Sequence, residues 1–416
     1  MADAGSTWAG THTFGAARLV MPRSLDEAAQ AVASTIGPMR ALGTRHSFHD
    51  LADTEGTLLS LVELPPDPVL DESARTVTVN AGTRYGVLAA WLEERGWALH
   101  NLGSLPHISV AGATQTGTHG SGVGNGNLAT AVAGLEYLDA SGAIVSVHRG
   151  DLDLHALAVG LGAFGIITRI TLDVEPTYQV LQQVHVGIPW TALLDYPDTI
   201  LAGAYSVSVF TRWGEPTLEQ VWVKRRLGRD VERPSGWMGG RVLDVPTRLV
   251  GGDPNDLTEQ GTSGPWLMRL PHFRLDGTPS NGDEIQTEYF VAREDAAEAL
   301  GAVRTLSAQI DPLLMITELR TVAADGLWLS GAYGRDTLAI HFTWRNLPEP
   351  VAAVLPHIEA ALAPFAPRPH WGKWHSFDAK AIAAAYPRLA DARAVFADRD
   401  PKGRFANEHL HRLAVR

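Results

Sequence analysis

Apolar residues along this chain fall into runs of two periods, and the two halves of the chain use them differently. Ser24-Leu25-Asp26-Glu27 has the form of a capping box, and the apolar positions after it predict a short helix closing near Gly37-Pro38. Thr76 to Asn80 alternates as a strand does. Tyr85 to Arg95 has helical spacing, with Leu88, Trp91 and Leu92 on one side and Gly96 as the stop. Val132 to Asp139, a turn at Ser141-Gly142 and Ala143 to His148 predict a hairpin. A helix over Asp151 to Val159 and a strand over Gly165 to Val174 complete this half.

The second half is richer in Trp and in long polar strands. Glu284 to Val291, Met315 to Val322 and Leu338 to Trp344 are its clearest strands, and Ala352 to Ala363 reads as a helix. Gly251 to Gly282 is loop-rich and has low periodicity. There is no internal repeat and no low-complexity segment. At 416 residues two domains are expected. Glu175-Pro176, a proline after a strand where the texture changes, marks the boundary between them.

Composition narrows the chemistry. The 34 basic and 46 acidic side chains leave a formal charge of −12, which disfavours polyanions, so no nucleic-acid partner is expected. No apolar run is long enough to cross a bilayer, so no membrane partner is expected either. Met1 to Gly10 lacks the basic stretch and apolar core of a secretory signal, and the expectation is a cytoplasmic protein. With no apolar surface patch legible, a monomer is the default. Cysteine is absent, which excludes disulfides, thiolate nucleophiles, Cys-ligated zinc and iron–sulfur clusters. Any redox chemistry then falls to an organic cofactor or a His/carboxylate metal site.

Two Gly-rich stretches invite a dinucleotide-fold reading. Gly160-Leu161-Gly162-Ala163-Phe164-Gly165 fits G-x-G-x-x-G, but the fingerprint works only when a strand precedes it and a helix follows. Here the predicted order is reversed, so the match carries no function. Gly124-Asn125-Gly126 with Ala129 is looser and has no apolar strand before it. Ser109 to Gly120 offers another way to hold phosphate, because successive small residues let backbone N–H groups converge on an anion while hydroxyls add donors. Ala41 to Ser47 supplies a second such cradle, and each of the two holds a histidine.

Gly43-Thr44-Arg45-His46-Ser47, Asn101-Leu102-Gly103-Ser104-Leu105-Pro106, Gly117-Thr118-His119-Gly120-Ser121-Gly122 and Gly162 to Thr168 resemble the FAD-binding domain of the vanillyl-alcohol oxidase superfamily. Met315 to Arg320 and Arg368 to Lys373 resemble its alditol oxidase and sugar-lactone oxidase branch, with the bacterial alditol (xylitol) oxidases the best fit. The resemblance runs through nearly the whole chain. It implies an α+β fold in which residues 1–176 and the tail 377–416 form the FAD-binding domain and residues 177–376 a sheet-based substrate domain. It implies FAD attached covalently through His46. The flavin site would comprise Ala41, Leu42, Gly43, Thr44, Arg45, Ser47, Ser104, Ser109, Gly112, Thr116, Gly117, Thr118, His119, Ile166 and His370. It also implies that Gly103, small and beside the flavin, leaves oxygen a path and makes the chain a peroxide-producing oxidase; Gly103 as a turn residue of positive φ is the other reading. His49, His409 and His411 are read as ordinary histidines, and no metal is expected, since the last two lack a third ligand.

Strand parity indicates the substrate pocket. Residues two apart share a face at ~6.6 Å. That joins Glu318 with Arg320, His341 with Thr343, and Gln286 with Glu288, each opposite an apolar face. Such a dense set of donors and acceptors suits a ligand made of hydroxyls, each of which costs about 1–3 kcal/mol if buried unpaired. The resemblance assigns Ser104, Glu318, Arg320, His341, Thr343 and Lys373, with Gln286 as a further member, to a polyol whose terminal primary hydroxyl is oxidised by O2. In that reading Arg320 and Lys373 stabilise developing alkoxide charge, helped by Glu318. A sugar-1,4-lactone oxidase is the alternative with the same fold and cofactor. A non-catalytic carbohydrate-binding protein on the same fold is the alternative of a different class.

Overall fold

The computed structural model describes residues 4–250, 252–278 and 282–416; residue 251 and residues 279–281 of the loop-rich stretch lie outside the described residues. The expected elements form close to their predicted limits. Ser24 caps the helix Leu25–Ser34 by accepting from Glu27 N at 3.1 Å, while the Glu27 carboxylate reaches back to Arg23 N at 2.7 Å rather than to the cap residue itself. Thr76–Asn80, Val132–Leu138, Ile144–His148 and Ile166–Asp173 are strands, and Gly96, at φ 76°, ends the helix that begins at Tyr85. The helix expected over Asp151 to Val159 shrinks to Leu154–Leu157, because the glycines after it turn the chain at once. The later helix starts earlier than expected, at Pro348, whose missing N–H costs nothing in the first turn.

The strands assemble into three principal sheets. Val69–Asp71, Thr76–Asn80, Ile166–Asp173, Val132–Leu138 and Ile144–His148 form a five-stranded antiparallel sheet, with a small parallel sheet of Arg18–Val20, Thr57–Leu59 and Met39–Ala41 beside it. One hydrophobic core covers these elements and takes in Ile382, Tyr386, Phe396, Phe405 and Leu410 from the end of the chain. The nine-stranded sheet runs from Gln179–Val186 through Gln220–Arg226, Ser206–Thr211, Leu314–Val322 and Thr337–Arg345 to Glu284–Ala292, edged by short strands. One of its faces presents Ile285, Tyr289, Leu319, Leu338, Ile340, Phe342 and Trp344 to a second core. Glu175–Pro176 pairs with Trp97–Ala98, just before that sheet begins.

Arg40 ties the first core together. It is 2% exposed. Its Nη1 donates to the carbonyls of Gly162 (2.8 Å) and Phe405 (2.7 Å), and its Nη2 to those of Leu51 (2.8 Å) and Leu161 (2.7 Å). Burial lowers the guanidinium to about 10, which still leaves it charged at neutral pH. Three chain segments, at Leu51, Leu161-Gly162 and Phe405, therefore meet on one cation. Arg40→Leu strands four buried carbonyls, and a loss of at least about 3 kcal/mol is expected, read as a lowered thermal or urea midpoint; an unchanged midpoint would show that the carbonyls find other donors.

Candidate active site

A cavity of about 310 Å³ runs between the first core and the polar face of the nine-stranded sheet. At one end stand Ala41 to Ser47 and the Ser109 segment. The latter is a short helix, Val110–Gln115, rather than a plain loop, and two of its leading N–H groups already donate to Thr83 O (2.8 Å, from Val110) and Ala81 O (3.1 Å, from Ala111). Thr44 Oγ1 accepts from Ser109 N at 3.1 Å, which fastens the two segments to each other. A Cβ on Gly43 would stand 2.8 Å from Ser109 Oγ, and one on Gly112 2.7 Å from the same atom. That hydroxyl is buried with no partner among the described residues. The arrangement is a bare, close cradle with a donor aimed into it, and it fits a phosphate-bearing cofactor.

His46 projects into the same cavity. Arg45 before it has φ 67°, a left-handed conformation rare outside glycine, and its carbonyl accepts from Trp8 N at 2.7 Å. The Trp8 ring stacks on the imidazole at 5.6 Å with 16° between the planes. His46 Nδ1 lies 3.2 Å from Thr44 Oγ1, and Nε2 is buried and unpartnered. Burial, reinforced by His107, lowers this ring to about 4. Of the cofactor residues expected from sequence, all but Gly117 line the cavity. Gly103 also lies off the lining; its φ is not left-handed, and a Cβ there would meet Ile108 Cδ1 and Thr118 Cγ2 at an ordinary 3.6 Å. No turn geometry requires glycine at that position.

The other end of the cavity is built by register. Glu288 pairs with His341, and His341 with Glu318, so these three stand in a row across adjacent strands; Gln286 pairs with Thr343 in the next row. The Glu288 carboxylate is 1% exposed and gathers three side chains: Lys373 Nζ at 3.0 Å, His119 Nε2 at 3.0 Å and Arg320 Nη2 at 3.4 Å. Burial pushes its pKa up, but Lys373 and His119 outweigh that and hold it well below the usual carboxylate range. Lys373 Nζ also donates to His341 Nδ1 at 2.7 Å, and His341 Nε2 meets Thr343 Oγ1 at 3.1 Å. Burial, then Lys373, lowers His341 to about 4, so the ring is neutral. Arg320 Nη1 donates to Ser104 Oγ at 3.1 Å, leaving the Ser104 hydrogen free for another acceptor. Gln286 lines the cavity but is tied to Glu284 at 2.5 Å. His370 Nδ1 accepts from Gly372 N at 3.0 Å, shaping the turn that delivers Lys373.

Three residues outside the sequence-derived site belong to this constellation. Glu288 was legible by parity with Gln286. His272, 2.7 Å from Glu318 Oε1, comes from the loop-rich stretch, and Trp8 from the N-terminal segment; neither sits in a periodic pattern. One other histidine group, His49, Asp50 and His409, has its ligand atoms within 4.8 Å of one another. Arg412 already lies 3.0 Å from both Asp50 oxygens, and the two rings stack at 15°, so their lone pairs run side by side rather than to a common point. His411 instead faces the Arg416 carbonyl at 3.2 Å.

Residues 16–148 match an FAD binding domain family and residues 282–413 a D-arabinono-1,4-lactone oxidase family. Over 99% of both chains this protein is 44% identical to the alditol oxidase of Streptomyces sp. (strain IKD472 / FERM P-14339). The chain belongs to the alditol oxidase branch of the vanillyl-alcohol oxidase flavoproteins. It is an FAD-dependent oxidoreductase. The L-gulono-1,4-lactone dehydrogenase of Mycobacterium tuberculosis (strain ATCC 25618 / H37Rv) is more distant, at 29% identity over 99% of both chains. The cholesterol oxidase of B. sterolicum shares the fold at TM-score 0.79 and 13% identity, covering 99% of this chain and 96% of its own. No helix among the described residues is long and apolar enough to cross a membrane.

The buried histidines make stability depend on pH. His46, His272 and His341 are each lowered to about 4, whereas an unfolded chain takes up these protons near 6.5. Stability from them is complete above 6.5 and is lost as pH falls toward 4, at roughly 1.4 kcal/mol per pH unit for each ring. The thermal midpoint should therefore drop steadily through that window; a flat profile down to pH 4.5 would mean that the rings titrate normally.

Proposed function

We propose that this protein oxidises the terminal primary hydroxyl of alditols such as xylitol and sorbitol to the aldose, reducing O2 to H2O2. The row of Glu288, His341 and Glu318, flanked by Arg320, Thr343 and Lys373, is the observation that carries this reading. It offers a polyol a lattice of fixed donors and acceptors at the far end of a cavity whose near end suits FAD. When bound, FAD would supply the two-electron oxidation of the carbinol carbon. The protein's own residues prepare that carbon. Lys373 and Arg320 are held from behind by Glu288, so their charges stay fixed while alkoxide character develops on the substrate oxygen. Glu318 and His341 accept or donate to the neighbouring hydroxyls, and Ser104 and Thr343 fix the run of the chain. Orientation matters because the C–H must point at the acceptor at near-contact distance.

Ala41 to Ser47, Ser104, Ser109, Gly112, Thr116 to His119, Ile166 and His370 would hold the cofactor, with His46 forming a covalent link. The Trp8 stack and the Thr44 hydroxyl preset the plane of that ring. Gly103, which no backbone constraint demands, keeps that side open to O2.

Two outcomes test this reading. Peroxide release in air should be brisk with xylitol and absent with L-gulono-1,4-lactone, and Lys373→Ala or Arg320→Ala should lower kcat by about 10²-fold or more without changing flavin content. Release only with the lactone would overturn the substrate assignment. His46→Ala should abolish flavin that survives denaturing electrophoresis; a fluorescent band that persists in the variant would place the link elsewhere.

A further inference from the structure

Glu318 is backed by two residues that the mechanism above does not use. His272 Nε2 lies 2.7 Å from Glu318 Oε1, and its Nδ1 lies 3.1 Å from Lys224 Nζ. Lys224, on the Gln220–Arg226 strand, is fully buried and is not part of the cavity lining. Its Nζ also donates to the carbonyls of Leu270 (2.5 Å) and Pro271 (3.0 Å) and lies 5.4 Å from the Trp222 ring centre. Burial lowers Lys224 well below its ordinary value and Glu318 works against that; as an ammonium it has three N–H groups and no lone pair, and in that form its contact to Nδ1 meets a bare nitrogen. The single ring proton is then on Nε2, and it points at Glu318 Oε1, which must be an unprotonated acceptor. Phe210 (5.5 Å) and Trp222 (5.0 Å) meet the His272 ring edge-on, and Ser208 Oγ lies 3.5 Å from Nε2. Glu318 Oε2 makes no hydrogen bond among the described residues.

We infer that Lys224 is a positioning residue for the oxidation: through His272 it keeps Glu318 ionised, with one oxygen tied down and the other presented to a polyol hydroxyl. The inference rests on Glu318 binding substrate as proposed above. A buried lysine with no carboxylate in contact is costly unless something gains from its charge. With Lys224 charged, the gain is a one-way chain of donors, Lys224 to His272 to Glu318. The other titratable groups facing Glu318 are Arg320 on its own strand, the neutral His341 from the next strand and Lys373 from the 371–375 turn. Burial and Lys224 lower His272 to about 4, consistent with a neutral ring.

The test uses the flavin-loaded enzyme. Two-bond ¹H–¹⁵N spectra of ¹⁵N-histidine protein, with His272→Gln to assign the signal, should show His272 as the neutral Nε2–H form from about pH 5.5 to 8.5. In Lys224→Met the ring should titrate within that range, and the pH profile of kcat/KM for xylitol should gain an inflection there that the parent enzyme lacks. His272→Gln retains a donor toward Glu318 and should keep KM within about threefold, whereas His272→Phe should raise it about tenfold or more. This pair decides the matter if Lys224→Met does not fold. A wild-type ring state and pH profile in Lys224→Met, or equal KM in the two His272 variants, would overturn the inference. Glu318→Gln separates the two readings: unchanged KM there sinks the assignment of Glu318 itself, while a raised KM alongside a silent Lys224→Met sinks only the relay.

Discussion

The buried carboxylate of Glu288 is the constraint on which the site depends. It receives His119 from the Gly-rich segment, Arg320 from one strand and Lys373 from a turn near the C-terminus, so three distant pieces of chain are held around one negative charge. Such a carboxylate is expensive to bury, and removing any partner leaves the others uncompensated. Within the site the carboxylates of Glu288 and Glu318 face the cations of Arg320 and Lys373, so fixed charge is close to balanced. A neutral polyol enters this field at little cost. The same field favours the oxygen that acquires negative charge as its carbon is oxidised.

The sheet converts sequence parity into this arrangement. Leu319, Ile340, Phe342 and Tyr289 pack on the helices, which obliges Glu318, His341 and Glu288 to face the other way. A one-residue slip would bury the carboxylates in the apolar core and expose its aromatics to the cavity. Register here is therefore fixed by the packing behind the strands, and the chemistry in front follows from it.

That logic explains what could be read beforehand. Glu318, Arg320, His341 and Thr343 lie on strands whose alternation is unbroken, and their shared face was legible from spacing alone. The cradles at Ala41 to Ser47 and Ser109 to His119 were legible by residue type, although the second folds as a helical turn whose first donors are already engaged. His272 and Trp8 were not legible. Their segments carry no period, and they reach the site because Ser104 O accepts from His272 N and Arg45 O accepts from Trp8 N, long-range backbone contacts that composition does not encode. Lys224 was hidden for another reason: a lysine in a strand is ordinarily solvated, and only the tertiary fold shows it enclosed.

The guanidinium of Arg40 also has a bearing on the order of events during folding. One of its four acceptors is the carbonyl of Phe405, 365 positions further along the chain, and Asn407 donates nearby to the carbonyls of Asp50, Leu51 and Asp53. The segment bearing His46 thus lacks its full support until residues 405–407 have docked against it. A partly folded chain presents an unfinished cradle, so the flavin site is completed by one of the longest-range closures in the molecule.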